Sequence, residues 1–323
     1  MLAIQAVRAG GPEVLEAVDL PVPAPGPGEI LIRHEAIGLN FIDTYQRTGL
    51  YPVRLPAVLG LEGAGVVEAV GEGVTRFVPG DRAAYGNGPL GAYAEFHLVP
   101  AGRAVKIPAA ISSQTAAAAM LKGMTAEFLL RRCYPVKKGD AVLIHAAAGG
   151  VGTILTQWAK ALGATVIATV GSADKAVLAT ASGADEVILY RDEDVAASVK
   201  AITGGAGVRV AYDGVGADTL EASLGSLGRR GMLVSYGNAS GPAPAVEPLR
   251  LSRGGSLFLT RPTLFDYVVT TEELDESAGA LFEVIGTGAV KIGIGQTFPL
   301  SQTRQAHEAL EARATTGSTL LIP

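Results

Sequence analysis

The segment Gly139-Asp-Ala-Val-Leu-Ile-His-Ala-Ala-Ala-Gly-Gly-Val-Gly152 constrains the fold more than any other part of this chain. Its apolar run, Ala141 to Ala146, predicts a buried strand feeding a tight Gly-rich turn. A helix is expected from near Gly150 through Ile154, Leu155, Trp158, Ala159 and Leu162. Such a strand–turn–helix aims backbone N–H groups and the positive helix end at one point, where a pyrophosphate can sit. The spacing is that of G-x-G-x-x-G, with Ala147, Gly149 and Gly152 in the three glycine positions.

The other half of the unit follows at once. Ala164-Thr-Val-Ile-Ala-Thr-Val-Gly171 is a β-branched run that reads as the next parallel strand, and the span suits a βαβ crossover. NAD-binding proteins usually carry an Asp or Glu at the end of this strand, about 20 residues past the glycines, for the ribose hydroxyls. Here the place holds Gly171-Ser172-Ala173, followed by Asp174 and Lys175. With no carboxylate at the strand end, and a hydroxyl and an ammonium close by, a 2′-phosphate fits better than a bare ribose. NADP(H) is therefore favoured over NAD(H). The competing reading makes Lys175 a solvated first-turn residue and gives Asp174 the acidic role.

A chain of 323 residues is expected to form two domains. Hydrophobic residues at 48% and charged ones at 18% suit a compact soluble globule, not a disordered chain. A net charge of −5 offers no electrostatic case for nucleic-acid binding. The start, Met1-Leu-Ala-Ile-Gln, reads as a strand without a signal-peptide pattern, and no apolar run reaches transmembrane length. The single cysteine, Cys133, excludes an internal disulfide framework and fits a reducing cytoplasm.

Residues 1–123 are rich in Gly and Pro, with short strand-like runs such as Glu29–His34, Ala64–Val70 and Ala92–Val99. That texture predicts a small, irregular β-barrel. From residue 124 to 265, strands expected at 141–146, 165–170, 186–190, 208–213, 231–236 and 256–260 alternate with helices, which makes a doubly wound parallel sheet of the α/β class. Residues 266–323 hold helices at Thr271–Gly286 and Gln302–Ala314 and a strand at Ser318–Ile322. They are expected to return to the first domain, making it discontinuous.

Gly38-Leu-Asn-Phe-Ile-Asp-Thr-Tyr45, Gly60-Leu-Glu-Gly-Ala-Gly65, Pro79-Gly-Asp-Arg82 and Gly139–Lys160 resemble the medium-chain dehydrogenase/reductase superfamily, and within it the quinone oxidoreductase (zeta-crystallin) branch. The resemblance runs from Met1 to Pro323. It implies a GroES-like barrel as catalytic domain, a Rossmann domain for NADPH, and a homodimer or larger oligomer, with dimers paired through a strand matching Ser256-Leu-Phe-Leu-Thr260. An apolar edge strand also invites pairing on physical grounds.

A zinc site needs three or four Cys, His or carboxylate ligands at defined spacing. His34, His97, His145 and His307 lie far apart in sequence, Leu61 stands where zinc-dependent relatives place a His, and Glu62 alone makes no Lewis-acid centre. No metal is expected. Hydride transfer to an acceptor that is already electrophilic, a quinone or conjugated enone, needs only orientation and a hydrogen-bond donor. By resemblance Asn40 and Tyr45 border the nicotinamide and substrate, Tyr45 offering a phenol near the developing oxyanion and Asn40 an amide to fix ring or ribose.

The resemblance extends to the cofactor contacts. Ile42 belongs to the same set, and Lys122-Gly-Met-Thr125 is read as opening a helix Ala126–Cys133, so that Thr125 and Phe128 face the cofactor. Gly149, Gly150 and Val151 form the phosphate turn; Gly171, Ser172, Lys175 and Tyr190 flank the adenosine phosphate. Gly214 ends the fourth strand, Tyr236, Gly237 and Asn238 the fifth, and Arg313 matches a family arginine near the cofactor. Arg229-Arg230 is read as a solvated turn between helix and strand. Two other functions stay open: an enoyl or alkenal double-bond reductase, and a non-catalytic NADPH-binding protein of crystallin or RNA-binding type.

Overall fold

The computed structural model describes all 323 residues, and the chain divides into two compact units. The first comprises Met1–Met124, Tyr267–Gly286 and Ile292–Pro323; the second Thr125–Asp266 and Thr287–Lys291.

In the first unit, strands β1 (Leu2–Ala6), β2 (Leu15–Asp19) and β4 (Ala57–Val58) form a small sheet in the order β2-β1-β4. The larger sheet is built around β3 (Glu29–Leu39), which is long enough to serve several partners. One edge of β3 pairs along its length with β5 (Glu62–Val70). The other is shared: Glu29–Arg33 pair with β7 (Phe96–Pro100), while Ile37–Leu39 pair with β16 (Ser318–Ile322). β6 (Arg82–Tyr85), β8 (Val105–Lys106) and β15 (Ile294–Pro299) complete it. Ile30, Ile32, Ile37, Leu39, Phe77, Tyr85, Tyr93 and Leu321 fill its core. Helix α1 (Phe41–Thr48) leaves β3 through Asn40 and stops at Gly49, whose φ of 83° only glycine adopts without strain.

Helix α2 (Ser113–Phe128) corrects one expectation: Lys122–Thr125 lie inside a continuous helix and do not open a new one. Gly123, within the segment read as a helix start, is instead a contact residue, because any Cβ there would overlap the methyl groups of Leu281 on α8 (Thr271–Gly286). Leu129–Cys133 widen into a π turn closed by Tyr134 N–H on the Leu129 carbonyl at 3.2 Å. Helix α9 spans only Thr303–Glu311 and leaves Arg313 beyond its end in a left-handed conformation, φ 57°.

The second unit is a six-stranded parallel sheet ordered β11-β10-β9-β12-β13-β14. Its strands are β9 (Ala141–Ile144), β10 (Thr165–Val170), β11 (Glu186–Leu189), β12 (Val208–Asp213), β13 (Leu227–Ser235) and β14 (Phe258–Thr260). Helices α3 (Gly150–Ala161), α4 (Ala173–Ala181), α5 (Val195–Ile202), α6 (Leu220–Ser226) and α7 (Pro248–Arg253) connect them. Leu143, Ile167, Ile188, Ala211 and Leu233, from five adjacent strands, form the core on one face. Strand order reverses beside β9, and ligands of such sheets bind at that switch point, outside the carboxyl ends.

Two further corrections concern boundaries. Arg229-Arg230 belongs to β13, at an irregularity in its pairing with β12, where Arg230 takes φ 59°. Residues 287–291 group with the second unit, because the Gln157 side-chain amide both donates to the Lys291 carbonyl (3.0 Å) and accepts from its N–H (2.8 Å).

Candidate active site

The carboxyl end of β9 runs into a turn whose strain falls on Ala146, at φ 51°, one residue before the substituted glycine position Ala147. Gly149 caps α3 without a side chain, so the first-turn amides of Gly150 and Val151 keep the outward aim of a helix N-terminus. Gly152 has a different task. A Cβ there would overlap the Ala146 carbonyl and approach Ala147 Cα at 2.7 Å, so glycine lets the helix sit against the strand end.

Beneath this turn lies a buried polar set. His145 pairs through Nδ1 with Thr169 Oγ1 (2.9 Å) and through Nε2 with Ser223 Oγ (3.0 Å). Ser223 donates to Asp213 Oδ2 at 2.7 Å, so it accepts from His145, and burial keeps the imidazole neutral by lowering its pKa. Asp213 Oδ1 also accepts from the N–H groups of Val215 (2.8 Å) and Gly216 (3.1 Å) and from Thr219 Oγ1 (2.8 Å). A Ser, a His and an Asp meet here, but the serine proton goes to the aspartate. The set therefore ties the ends of β9, β10 and β12 together and activates no nucleophile.

The neighbouring strand ends supply the rest of the edge. At the end of β10 a Cβ on Gly171 would lie 2.5 Å from Tyr190 Oη and 2.9 Å from its Cζ, so the tyrosine ring lies against the bare glycine. Ser172 caps α4, its hydroxyl 3.5 Å from the Lys175 N–H. At the end of β12 a Cβ on Gly214 would lie 2.8 Å from the Tyr236 ring, and one on Gly237 would overlap the Gly214 carbonyl. Ser240 N–H bonds the Val215 carbonyl at 2.8 Å, which stitches the two turns around Asn238. Gly149, Gly150, Val151, Gly171, Ser172, Lys175, Tyr190, Gly214, Tyr236, Gly237 and Asn238 thus share one edge of the second unit. Thr125 and Phe128 lie on the last turn of α2, both buried.

In the first unit Asn40, Ile42 and Tyr45 come together at the start of α1, while Arg313 follows α9. Tyr45 is buried, its ring edge-on to Tyr51 with centroids 5.2 Å apart. Asn40 is held at both ends. Its backbone N–H donates to Asp43 Oδ2 (2.8 Å) and its side-chain amide to Glu62 Oε2 (2.8 Å). Glu62 is fully buried and also accepts from Lys122 Nζ (2.9 Å) and the Leu121 N–H (2.6 Å).

Behind Asp43 a chain of bonds runs outward. Tyr93 Oη donates to Asp43 Oδ2 (2.7 Å) and meets His307 Nε2 (3.0 Å). Arg47 Nη1 meets His307 Nδ1 (3.0 Å), and Nη2 donates to Glu311 Oε1 (2.6 Å). Arginine only donates, so His307 accepts on Nδ1, carries its proton on Nε2 and passes it to Tyr93. Burial raises the Asp43 carboxyl to about 7 against the bonds from Tyr93 and Asn40, and its Oδ1 is buried without a partner. Burial, aided by the Arg47 charge, lowers His307 to about 3. None of Asp43, Glu62, Tyr93, Lys122 or His307 stands out as a site residue in the sequence. The one local signal is Asp43 three residues after Asn40, the spacing of a reciprocal helix cap.

Residues 26–109 match the alcohol dehydrogenase GroES-like domain family and residues 150–283 the zinc-binding dehydrogenase family. A quinone oxidoreductase of Salmonella typhimurium is 53% identical over 319 residues, 98% of each chain. The crystal structure of Escherichia coli quinone oxidoreductase complexed with NADPH superposes with a TM-score of 0.98 at 50% identity, covering 100% of both chains. A 2-haloacrylate reductase of a Burkholderia species is 44% identical over 323 residues, 98% of this chain and 97% of the relative. The first unit thus has the GroES-like fold and the second the Rossmann fold, as the motifs predict. With half of its residues shared along the full length, the chain belongs to the zinc-free quinone oxidoreductase family of the medium-chain dehydrogenase/reductase superfamily.

Proposed function

We propose that this chain is an NADPH-dependent quinone reductase that needs no metal and acts on a quinone or similar conjugated carbonyl. The observation that carries the reading is the end of β10. Gly171 offers no carboxylate, the Tyr190 ring lies against it, and Ser172 and Lys175 open the helix beside it. That combination fits a 2′-phosphate, and the glycine contacts at Gly152, Gly171 and Gly214 keep backbone and aromatic rings close, as a dinucleotide cradle requires. When bound, NADPH supplies the hydride. The chain's own residues hold and orient. Gly149, Gly150 and Val151 take the pyrophosphate on backbone amides; Ser172, Lys175 and Tyr190 take the adenosine phosphate; Gly214, Tyr236, Gly237 and Asn238 line the nicotinamide side. Ile42, Thr125, Phe128 and Arg313 complete the cofactor set. Asn40 and Tyr45 are the catalytic residues, Tyr45 donating a hydrogen bond to the oxygen on which charge develops.

The chain works as a homodimer joined through the edge strand near Ser256–Thr260, and in the cytoplasm, where the single Cys133 meets a reducing environment. No helix is long and apolar enough to cross a membrane. Oxidation of NADPH with 1,4-benzoquinone or phenanthrenequinone, run beside 2-alkenals and 2-haloacrylate, tests the activity. Quinone turnover is expected. Turnover confined to the alkenes overturns it in favour of double-bond reduction, the reading that the Burkholderia relative supports; Tyr45 would then protonate carbon.

A further inference from the structure

The bonds around Asn40 determine which edge of its amide is left for a ligand. We propose that Glu62, anchored by Lys122, is a positioning residue that turns both Asn40 amide protons inward, so that Asn40 meets its ligand as a hydrogen-bond acceptor. Glu62 and Lys122 form a buried ion pair at 2.9 Å, and a carboxylate has no proton to donate. The group facing Glu62 Oε2 at 2.8 Å must therefore be the Asn40 NH2; its second proton points to the Gly38 carbonyl at 3.4 Å. Only Oδ1 can meet a ligand, through the lone pair that does not face the Asp43 N–H of the reciprocal helix cap.

The pair is seated with little freedom. A Cβ on Gly38 would overlap Glu62 Oε2, so glycine at this point of β3 makes room for the carboxylate. The Leu121 N–H fixes the other oxygen, Oε1, at 2.6 Å, and Asp43 fixes the Asn40 backbone at 2.8 Å. An acceptor suits a hydroxyl donor, such as a ribose hydroxyl of the cofactor or the hydroxyl of a reduced acceptor. It repels an oxyanion. The developing charge is thereby left to Tyr45, and Asn40 contributes orientation.

This inference rests on the reading that Asn40 borders the reacting groups, and the test separates the two. Asn40→Ala, Glu62→Gln, Asn40→Asp and the exchange Asn40→Asp/Glu62→Gln are compared by kcat/KM with NADPH and a quinone and by melting temperature. The exchange reverses the bond, with the amide introduced at position 62 now donating to a carboxylate at position 40, which also takes over as acceptor for the Lys122 ammonium that shares Oε2 in the parent. It keeps the charge of the cluster and leaves an oxygen acceptor outward.

Each single variant is expected to lose about ten- to a hundredfold in kcat/KM, and the exchange to return to within about fivefold of the parent. An exchange that regains its melting temperature but not its activity overturns the acceptor role. Full activity in Glu62→Gln beside a loss in Asn40→Ala overturns the positioning role. Full activity in Asn40→Ala overturns the placement of Asn40 in the site itself. Should a variant fail to fold, neutron diffraction from the unaltered protein decides: deuterons on the Glu62 side support the proposal, and the carbonyl oxygen on that side overturns it.

Discussion

Asp43 and His307 lie on one chain of hydrogen bonds but give the protein opposite responses to pH. Burial holds His307 and His34 neutral down to about 3, whereas in the unfolded chain each takes a proton near its ordinary value of about 6.5. Their stabilising contribution is complete above that value and is lost as pH falls below it. Asp43 binds its proton up to about 7 when folded and only below about 4 when unfolded, so its contribution is lost as pH rises. Between about pH 6 and pH 4.5 each such histidine therefore adds about 1.4 kcal/mol per pH unit to the stability lost on acidification, and Asp43 takes a similar amount off; His97, lowered to about 4 by burial, and buried His145 act in the same direction as His34 and His307. Asp43→Asn mimics the protonated carboxyl and removes the opposing term. It is expected to steepen the slope by about 1.4 kcal/mol per unit, read from urea midpoints at fixed protein concentration; an unchanged slope would refute the assignment. Lys175→Ala addresses the cofactor at the same scale. It is expected to weaken NADPH about ten- to a hundredfold and leave NADH nearly unaffected in a fluorescence titration. Equal losses for both would remove the phosphate from Lys175. Of these residues only Lys175 could be singled out as a candidate in the sequence, because its neighbours Gly171 and Ser172 are local. Tyr93 joins Asp43 across 50 residues and His307 joins Tyr93 across 214, separations that no pattern of spacing reveals.

Among the elements, those with a strict period and clear punctuation were the most legible: β10, β12, α8 and β16 fall on their expected bounds. Where the reading failed, packing had overridden composition. Lys122-Gly-Met-Thr125 reads as the opening of a new helix, yet α2 runs continuously through it, and glycine stands at 123 because Leu281 occupies the space a side chain there would need. The Gly-rich turn between β9 and α3 was legible as a strand–turn–helix, but its division of labour was not. Ala146 carries the left-handed φ, and Gly152 sets how closely the helix approaches β9. Gly152→Ala is consequently expected to push the α3 N-terminus away from the turn. Because the atoms in the way are backbone, the variant should lose about 1–3 kcal/mol of stability. Its affinity for NADPH should fall further than that of Gly279→Ala, a helical glycine with nothing within 4 Å of the added carbon. Isothermal titration and thermal melts of the two variants make the comparison, and equal affinities would show that α3 keeps its place without the glycine.

At the scale of the whole molecule, the six-stranded sheet ends on an edge it does not cover. β14 pairs only with β13, matching Met232 to Phe258 and Val234 to Thr260, and its outer side is bare. Phe258 is 54% exposed and Leu259 38%. An apolar edge of this kind templates strand addition unless charge, proline or a bulge blunts it, and Phe258–Thr260 has none of the three. A second copy presenting the same strand satisfies both edges at once by two-fold symmetry, which is why self-pairing is the expected outcome. Phe258→Asp places a charge on each of the two facing edges. In a single chain the change touches an exposed position and should cost no more than about 0.5 kcal/mol. In a dimer it sets carboxylates opposite one another and removes the aromatic contact, so sedimentation should shift from the mass of two chains to that of one. A variant that sediments as the parent does would show that β14 is not the contact, and a parent already sedimenting as one chain would show that the edge stays open. The edge proposed for NADPH lies at the strand carboxyl ends around β9, β10 and β12, not on β14. Cofactor affinity in the variant is accordingly expected to match the parent's, and a parallel loss of both would mean that the dimer contact supports the cradle.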